Sequence, residues 1–169
     1  MTAEDIIEQL GMKPLPIEGG YYTVTHLADE ELSTEVLPSR YPSSRPYASA
    51  IYYLVTAKQF SAMHKLPTDE IYYFHLGDPM EVLLLDPDGG GSIHWLGTDL
   101  GSEQTPQLLA PRHYWQGSRS MPGGVHGYSL VSTSMAPAYV DTDPVFANRD
   151  ELTSQYPEFS HLIKHLTPK

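Results

Sequence analysis

The stretch Phe60-Ser61-Ala62-Met63-His64-Lys65-Leu66-Pro67-Thr68-Asp69-Glu70-Ile71-Tyr72-Tyr73-Phe74-His75-Leu76-Gly77 decides how this chain is read. Two runs rich in apolar and aromatic residues flank a short Pro67-Thr68-Asp69 break, the pattern of two strands joined by a turn. Alternate residues of a strand share a face. Ala62 and His64 therefore point one way, as do Glu70, Tyr72 and Phe74 on the following strand. With those faces turned inward, an imidazole and a carboxylate look into one cavity from adjacent strands.

The same texture extends outward in both directions. Tyr21–Leu27, Ala48–Thr56, Met80–Asp86, Ser92–Gly97, Gln107–Ala110, Tyr114–Arg119 and Tyr128–Met135 read as further strands. Strong turn signals separate them: Gly77-Asp78-Pro79, Asp86-Pro87-Asp88-Gly89-Gly90-Gly91 and Met121-Pro122-Gly123-Gly124. Eight or nine short strands at this spacing indicate a sandwich or barrel rather than alternating β and α units. Residues 30–45 are expected to form a strand followed by a loop. At the start, Thr2 and Asp5 form a capping pair ahead of an Ile6, Ile7 and Leu10 stripe, and Gly11 ends that helix. At the end, Pro157 opens a helix on which Phe159, Leu162, Ile163 and Leu166 recur at helical spacing.

Composition narrows the function. The 169 residues suit one domain, 1–169, and no repeat or linker divides them. There is no cysteine, so disulfides, thiolate metal sites and a cysteine nucleophile are all excluded. Ten basic against 21 acidic residues give a net charge of −11, a surface that repels phosphate backbones, so no nucleic-acid partner is expected. No apolar run is long enough to span a bilayer and no basic export signal opens the chain, so the expectation is a cytoplasmic protein without a membrane partner.

Around the opening stretch the residues resemble the first cupin motif, in which two histidines one residue apart precede a glutamate and, seven positions on, a glycine. His64, Glu70 and Gly77 match it, while Leu66 stands at the second histidine. Pro111-Arg112-His113-Tyr114-Trp115-Gln116 resembles the second motif, with His113 replacing its glycine and Gln116 its metal-binding histidine. These departures resemble one subgroup, the cupin-5 (DUF985) family. Glu18-Gly19-Gly20-Tyr21-Tyr22, Ser49-Ala50-Ile51-Tyr52-Tyr53-Leu54, Ala136-Pro137 and the closing Tyr156-Pro157 helix also match it, although Thr23 occupies a position that the family usually gives to a basic residue. The resemblance implies an all-β-dominated fold, the double-stranded β-helix or jelly-roll barrel, with short N- and C-terminal helices, and it implies a homodimer. It supplies no established reaction.

Three readings of the site stay open. In the first, a small polar ligand, of sugar or sugar-nucleotide type, binds in the barrel beside Tyr52, Tyr72, Phe74, Gln116 and Tyr128. His64 then acts as the base of a metal-independent isomerase or epimerase, assisted by Glu70, with a tyrosine as acid. An ordinary imidazole titrates near about 6.5, which suits that role. In the second reading the same pocket binds a small molecule without catalysis. In the third, His64, Glu70 and Gln116 hold a divalent metal. An amide is a poor ligand for such ions, so no cofactor is expected, with a divalent metal as the alternative.

Overall fold

A computed structural model describes residues 1–168. Helix α1 (Ala3–Gln9) starts at the reciprocal cap expected: the Asp5 amide donates to the Thr2 hydroxyl and the Thr2 amide to the Asp5 carboxylate. The strands follow in the order β1 (Lys13–Pro14), β2 (Tyr21–Leu27), β3 (Glu31–Leu32), β4 (Arg45–Pro46), β5 (Ser49–Thr56), β6 (Ser61–Lys65), β7 (Glu70–Gly77), β8 (Met80–Leu85), β9 (Gly91–Leu96), β10 (Gln104–Thr105), β11 (Gln107–Ala110), β12 (Trp115–Ser120), β13 (Tyr128–Met135) and β14 (Val145–Phe146). Of the strand expected in residues 30–45, only the two-residue pair β3 and β4 forms.

Two six-stranded sheets make the body, in the orders β1-β2-β5-β13-β7-β11 and β10-β9-β8-β12-β6-β14. Their arrangement corrects the sequence reading at one point. β6 and β7 are consecutive in the chain but belong to different sheets, so His64 and Glu70 face each other across the interior instead of lying on adjacent strands. The connection Leu66–Asp69 carries the chain from one sheet to the other.

Three apolar clusters fix which side chains face where. Between the sheets lie Tyr53, Val55, Tyr72, Val82, Leu84, Leu96 and Val131. On the outer face of the first sheet, Leu54, Tyr128 and Leu130 pack under Ala3, Ile6 and Met12, so the amphipathic stripe of α1 is covered. On the outer face of the second, Met63, Leu83 and Leu85 pack against Leu152, Tyr156, Leu162 and Ile163. β8 is thus buried on both faces, the physical reason for its unbroken Val82-Leu83-Leu84-Leu85 run. The residues under that second face come from α2 (Arg149–Gln155) and α3 (Ser160–His165), linked by a turn of 3-10 helix in which Pro157 sits at the start. α2 is an element the sequence reading missed. Its Asn148 cap, which accepts from the Asp150 and Glu151 amides, was the available signal.

Gly77 closes the turn after β7 with φ +95°, and a side chain there would strike the Tyr128 carbonyl, so the position requires glycine. No helix among the described residues is long and apolar enough to cross a membrane.

The segment after β13 is tied down by one buried ion pair. Arg45 grips Asp143 with two hydrogen bonds of 2.6 and 2.7 Å, and Asp143 also accepts from the Val140 amide. Both partners are buried, so removing one leaves an uncompensated charge. Arg45→Ala is expected to destabilise the fold by about 3–5 kcal/mol in urea denaturation. A loss under about 1 kcal/mol would show that the pair does not anchor this segment.

Candidate functional site

His64 lies in β6, its ring turned inward and only 2 % exposed, while its neighbour Met63 faces the helices outside. Its Nδ1 stands 2.7 Å from the Ala62 carbonyl oxygen. A carbonyl only accepts, so Nδ1 carries the proton and Nε2 of the neutral ring presents a lone pair. On the neighbouring strand β12, Gln116 pairs directly with His64. Its amide nitrogen donates to His64 Nε2 at 3.2 Å and to Glu70 Oε2 at 2.7 Å. From the facing sheet, the Tyr72 hydroxyl approaches both Glu70 Oε2 and Gln116 Oε1 at 3.4 Å. The amide hydrogens therefore point at the two acceptors and the amide oxygen at a hydroxyl. Gln116 stitches the two sheets together through this network.

Beside the network opens a cavity of about 240 Å³. Prominent in its lining are Glu18, His64, Glu70 and Asp141, with the phenols of Tyr53, Tyr72 and Tyr139 and the ring of Tyr22. Glu18 comes from the turn before β2. Its carbonyl accepts from the Ala62 amide, its Oε1 accepts from the Ser61 hydroxyl at 2.9 Å, and its Oε2 lies 4.0 Å from His64 Nε2. Gly19 and Gly20 follow, at φ +95° and +73°. A Cβ on Gly20 would come within 2.8 Å of both the Leu54 carbonyl and the Tyr53 hydroxyl. Only glycines let the turn lie this close to β5 and bring Glu18 to the histidine.

Burial pushes the Glu18 carboxyl up from its ordinary range. Glu70 adds to that rise, while His64 and the Ser61 hydroxyl oppose it. Tyr53 and Tyr72 are pushed well up, by burial first and then by the carboxylates beside them, so their hydroxyls stay protonated as donors. Tyr139 rises for the same reasons.

His64, Glu70, Tyr72 and Gln116, all singled out from the sequence, come together here. Tyr52 and Tyr128 do not. Both lie in the cluster under α1, and Tyr52 stacks edge-on against His75. Tyr53, the other half of the Tyr-Tyr pair, faces inward in place of Tyr52, and its hydroxyl donates to the Gly19 carbonyl. Phe74 packs against the inter-sheet core without lining the cavity. The carboxylate nearest His64 is Glu18 and not Glu70, whose oxygen reaches the ring only through Gln116. Glu18, Tyr139 and Asp141 were missed; the Glu18-Gly19-Gly20 run was the one visible signal.

Two largely antiparallel sheets with histidine, glutamate and glutamine meeting in the hollow between them define a protein of the cupin jelly-roll class. The chain belongs to the family described as Cupin superfamily (DUF985), which matches residues 4–147. A hypothetical protein from Leishmania major is similar over 100 % of both chains, at 26 % identity and TM-score 0.88. A Shewanella oneidensis protein is similar at 28 % identity and TM-score 0.84, over 99 % of this chain and 98 % of its own. The oxalate decarboxylase of Lactobacillus farciminis, in its formate complex, shares the fold alone, at 12 % identity and TM-score 0.52, over 94 % of this chain and 42 % of its own. A comparison with curated proteins finds no match.

Cupins of the decarboxylase type include one described with Mn(II) centers, which raises the question of a metal between these donors. The donor set does not fit one. The Gln116 NH₂ group lies between the two strongest donors, His64 Nε2 and Glu70 Oε2, and both already accept its hydrogens. Among the described residues no three His, Asp or Glu side chains are grouped to hold an ion.

Fe, Mn, Ni or Zn ions are accordingly expected to leave the melting temperature unmoved, whereas Gln116→His, which replaces the amide by an imidazole, is expected to make it metal-dependent. A metal-induced rise in the wild type would contradict the poor fit. A second outcome concerns pH. Between the ordinary carboxylate range and the raised Glu18 value, the folded protein holds a proton that the unfolded chain has released. That contribution to stability is therefore complete below the window and falls as pH rises through it. Glu18→Gln keeps an acceptor for Ser61 and is expected to flatten the fall in thermal melts run from about pH 4 to about pH 8. An identical slope in both proteins would remove Glu18 as its source.

Proposed function

We propose that the inter-sheet cavity binds a small polar organic ligand without a metal. The observation that carries this reading is the Gln116 amide, whose hydrogens occupy His64 Nε2 and Glu70 Oε2, the atoms that face each other where a metallo-cupin would hold its ion. The cavity beside it is enclosed by tyrosines and aliphatic side chains with a few polar groups aimed inward, the usual composition of a small-molecule site. At about 240 Å³ it is smaller than the roughly 300 Å³ at which pockets for drug-sized ligands begin, so a single ring or a short chain is the fitting size.

A second reading, catalysis, is favoured by Glu18. A carboxyl with a raised pKa stands 4.0 Å from an imidazole nitrogen with a lone pair, an acid and a base on one wall. For a hydroxy-carbonyl substrate, His64 Nε2 takes the proton from the carbon beside the carbonyl while Glu18 gives its proton to the carbonyl oxygen. The resulting enediol then takes the proton from imidazolium at the adjacent carbon and returns a hydroxyl proton to Glu18. The product is the isomer in which carbonyl and hydroxyl have exchanged places. During this step Nε2 gives up its long hydrogen bond from Gln116. The tyrosines suit binding better than acid catalysis, because their raised pKa values hold the proton tightly.

The two readings part on His64→Ala, assayed with hydroxy-carbonyl compounds by calorimetry and by hydrogen exchange in D₂O. A binder is expected to lose about 1 kcal/mol, roughly fivefold in affinity, with no solvent deuterium entering the ligand in either protein. An isomerase is expected to incorporate deuterium as the wild type and to lose that exchange in the variant while still binding. If no neutral, anionic or cationic small molecule raises the wild-type melting temperature, the binding reading fails.

A further inference from the structure

We infer that the ligand of this cavity is a small organic amine in its ammonium form, with Glu70 as its principal counter-charge. The inference rests on the reading of the cavity as a ligand site and names the charge of what enters it.

The lining is one-sided. It contains three carboxyl groups, Glu18, Glu70 and Asp141, and among the described residues no lysine or arginine. The cations nearby are held apart. Leu66 forms a shared wall with a second hollow, a groove of about 280 Å³ that collects Arg40, Arg45, Lys65 and His113. Lys13 lies over the Tyr22 ring at 5.0 Å but does not line the cavity. An anion entering between the sheets would meet three carboxyl groups and, besides the His64 ring, only neutral hydroxyl donors. A dianion such as oxalate, or a nucleotide phosphate, finds no lysine or arginine among the described residues there.

Glu70 supplies the second observation. It is 8 % exposed, and the hydrogen bonds from Gln116 and Tyr72 both fall on Oε2. Among the described residues Oε1 has no hydrogen-bond donor and Glu70 has no ion-pair partner. That oxygen is open to the cavity and not sealed in the protein, and with its twin engaged and its own lone pairs unused by the protein it is an acceptor that a donor entering the cavity can take. A cation that also donates hydrogen bonds answers both needs, and an ammonium group is the small organic group that does so. Tyr22, Tyr53, Tyr72 and Tyr139 add aromatic rings, which attract ammonium through their π-electrons. Leu15, Ile51 and Leu66 receive the hydrocarbon part. The net charge of −11 favours the approach of cations from a distance.

Glu18 gives a further signature. Burial holds its carboxyl partly protonated at pH values where an exposed one is ionised. An ammonium beside it reverses that bias, so binding releases a proton to the buffer.

The test is isothermal calorimetry of the wild type with two matched probe series: cyclohexylamine, cyclohexanol and cyclohexanecarboxylate, then glucosamine, glucose and glucuronate. The amine of at least one series is expected to bind about tenfold or more tighter than its neutral partner, with the carboxylate not binding. Its binding heat is expected to change with the ionisation enthalpy of the buffer, as proton release requires. Glu70→Gln, which preserves the acceptor for Gln116, is expected to weaken the amine about tenfold or more and the neutral member less than about twofold. Equal binding of neutral and amine, tighter binding of either carboxylate, or an amine affinity unchanged in Glu70→Gln overturns the inference and leaves the ligand site standing. No binding by any of the probes at millimolar concentration overturns the inference and counts against the ligand site too.

Discussion

A carboxylate carried into the space between two sheets has to be answered there, and Glu70 sets the terms for what surrounds it. Its Oε2 is met by an amide from the opposite sheet and a phenol from its own strand. The amide belongs to Gln116, whose remaining hydrogen is directed at His64, and so the imidazole, the carboxylate and the phenol become one cross-sheet assembly. The identity of this single residue decides what the hollow can be. With a histidine in its place, three donors would converge. With the amide, its two hydrogens occupy His64 Nε2 and Glu70 Oε2, and the centre is a hydrogen-bonded brace with a cavity at its side.

The cavity wall is completed by parts held at some distance. Tyr139 and Asp141 lie on the segment after β13 that Arg45 ties down through Asp143. Glu18 lies on a turn locked to β6 through its own carbonyl and to β5 through the Tyr53 hydroxyl on Gly19. Both segments are irregular, yet each is fastened by a buried polar contact, so the charged groups they carry are presented at fixed positions.

Much of the fold could be read from the chain because its punctuation is strong. Tyr21–Leu27, Gln107–Ala110 and Tyr128–Met135 run as expected, since turn residues bound each of them. The site was legible only where one motif spelled it out. Which of Tyr52 and Tyr53 faces inward could not be phased from the sequence, because α1 covers the outer face and makes both sides of β5 apolar. Strand alternation shows polarity only when one side is wet. The partition of β6 and β7 between sheets is likewise invisible locally, because a short turn and a crossing of the barrel both fit Pro67-Thr68-Asp69. Glu18 was hidden for a related reason: it lies far along the chain from β5 and β6, the strands it serves, and only folding brings it to His64.

The C-terminal helices lie beyond residues 4–147, the span over which the family is matched, yet they reach the middle of the molecule. Met63, next to His64 in the chain, receives the Leu166 carbonyl on its amide and gives its own carbonyl to the Ala147 amide, with distances of 2.8 and 2.9 Å. The backbone on one side of the imidazole is thus clamped by the tail, and its outward side chain is roofed by Ile163 and Leu162. The tail thus fastens β6 from outside the barrel at the residue beside the histidine, so part of what positions the imidazole comes from the far end of the chain.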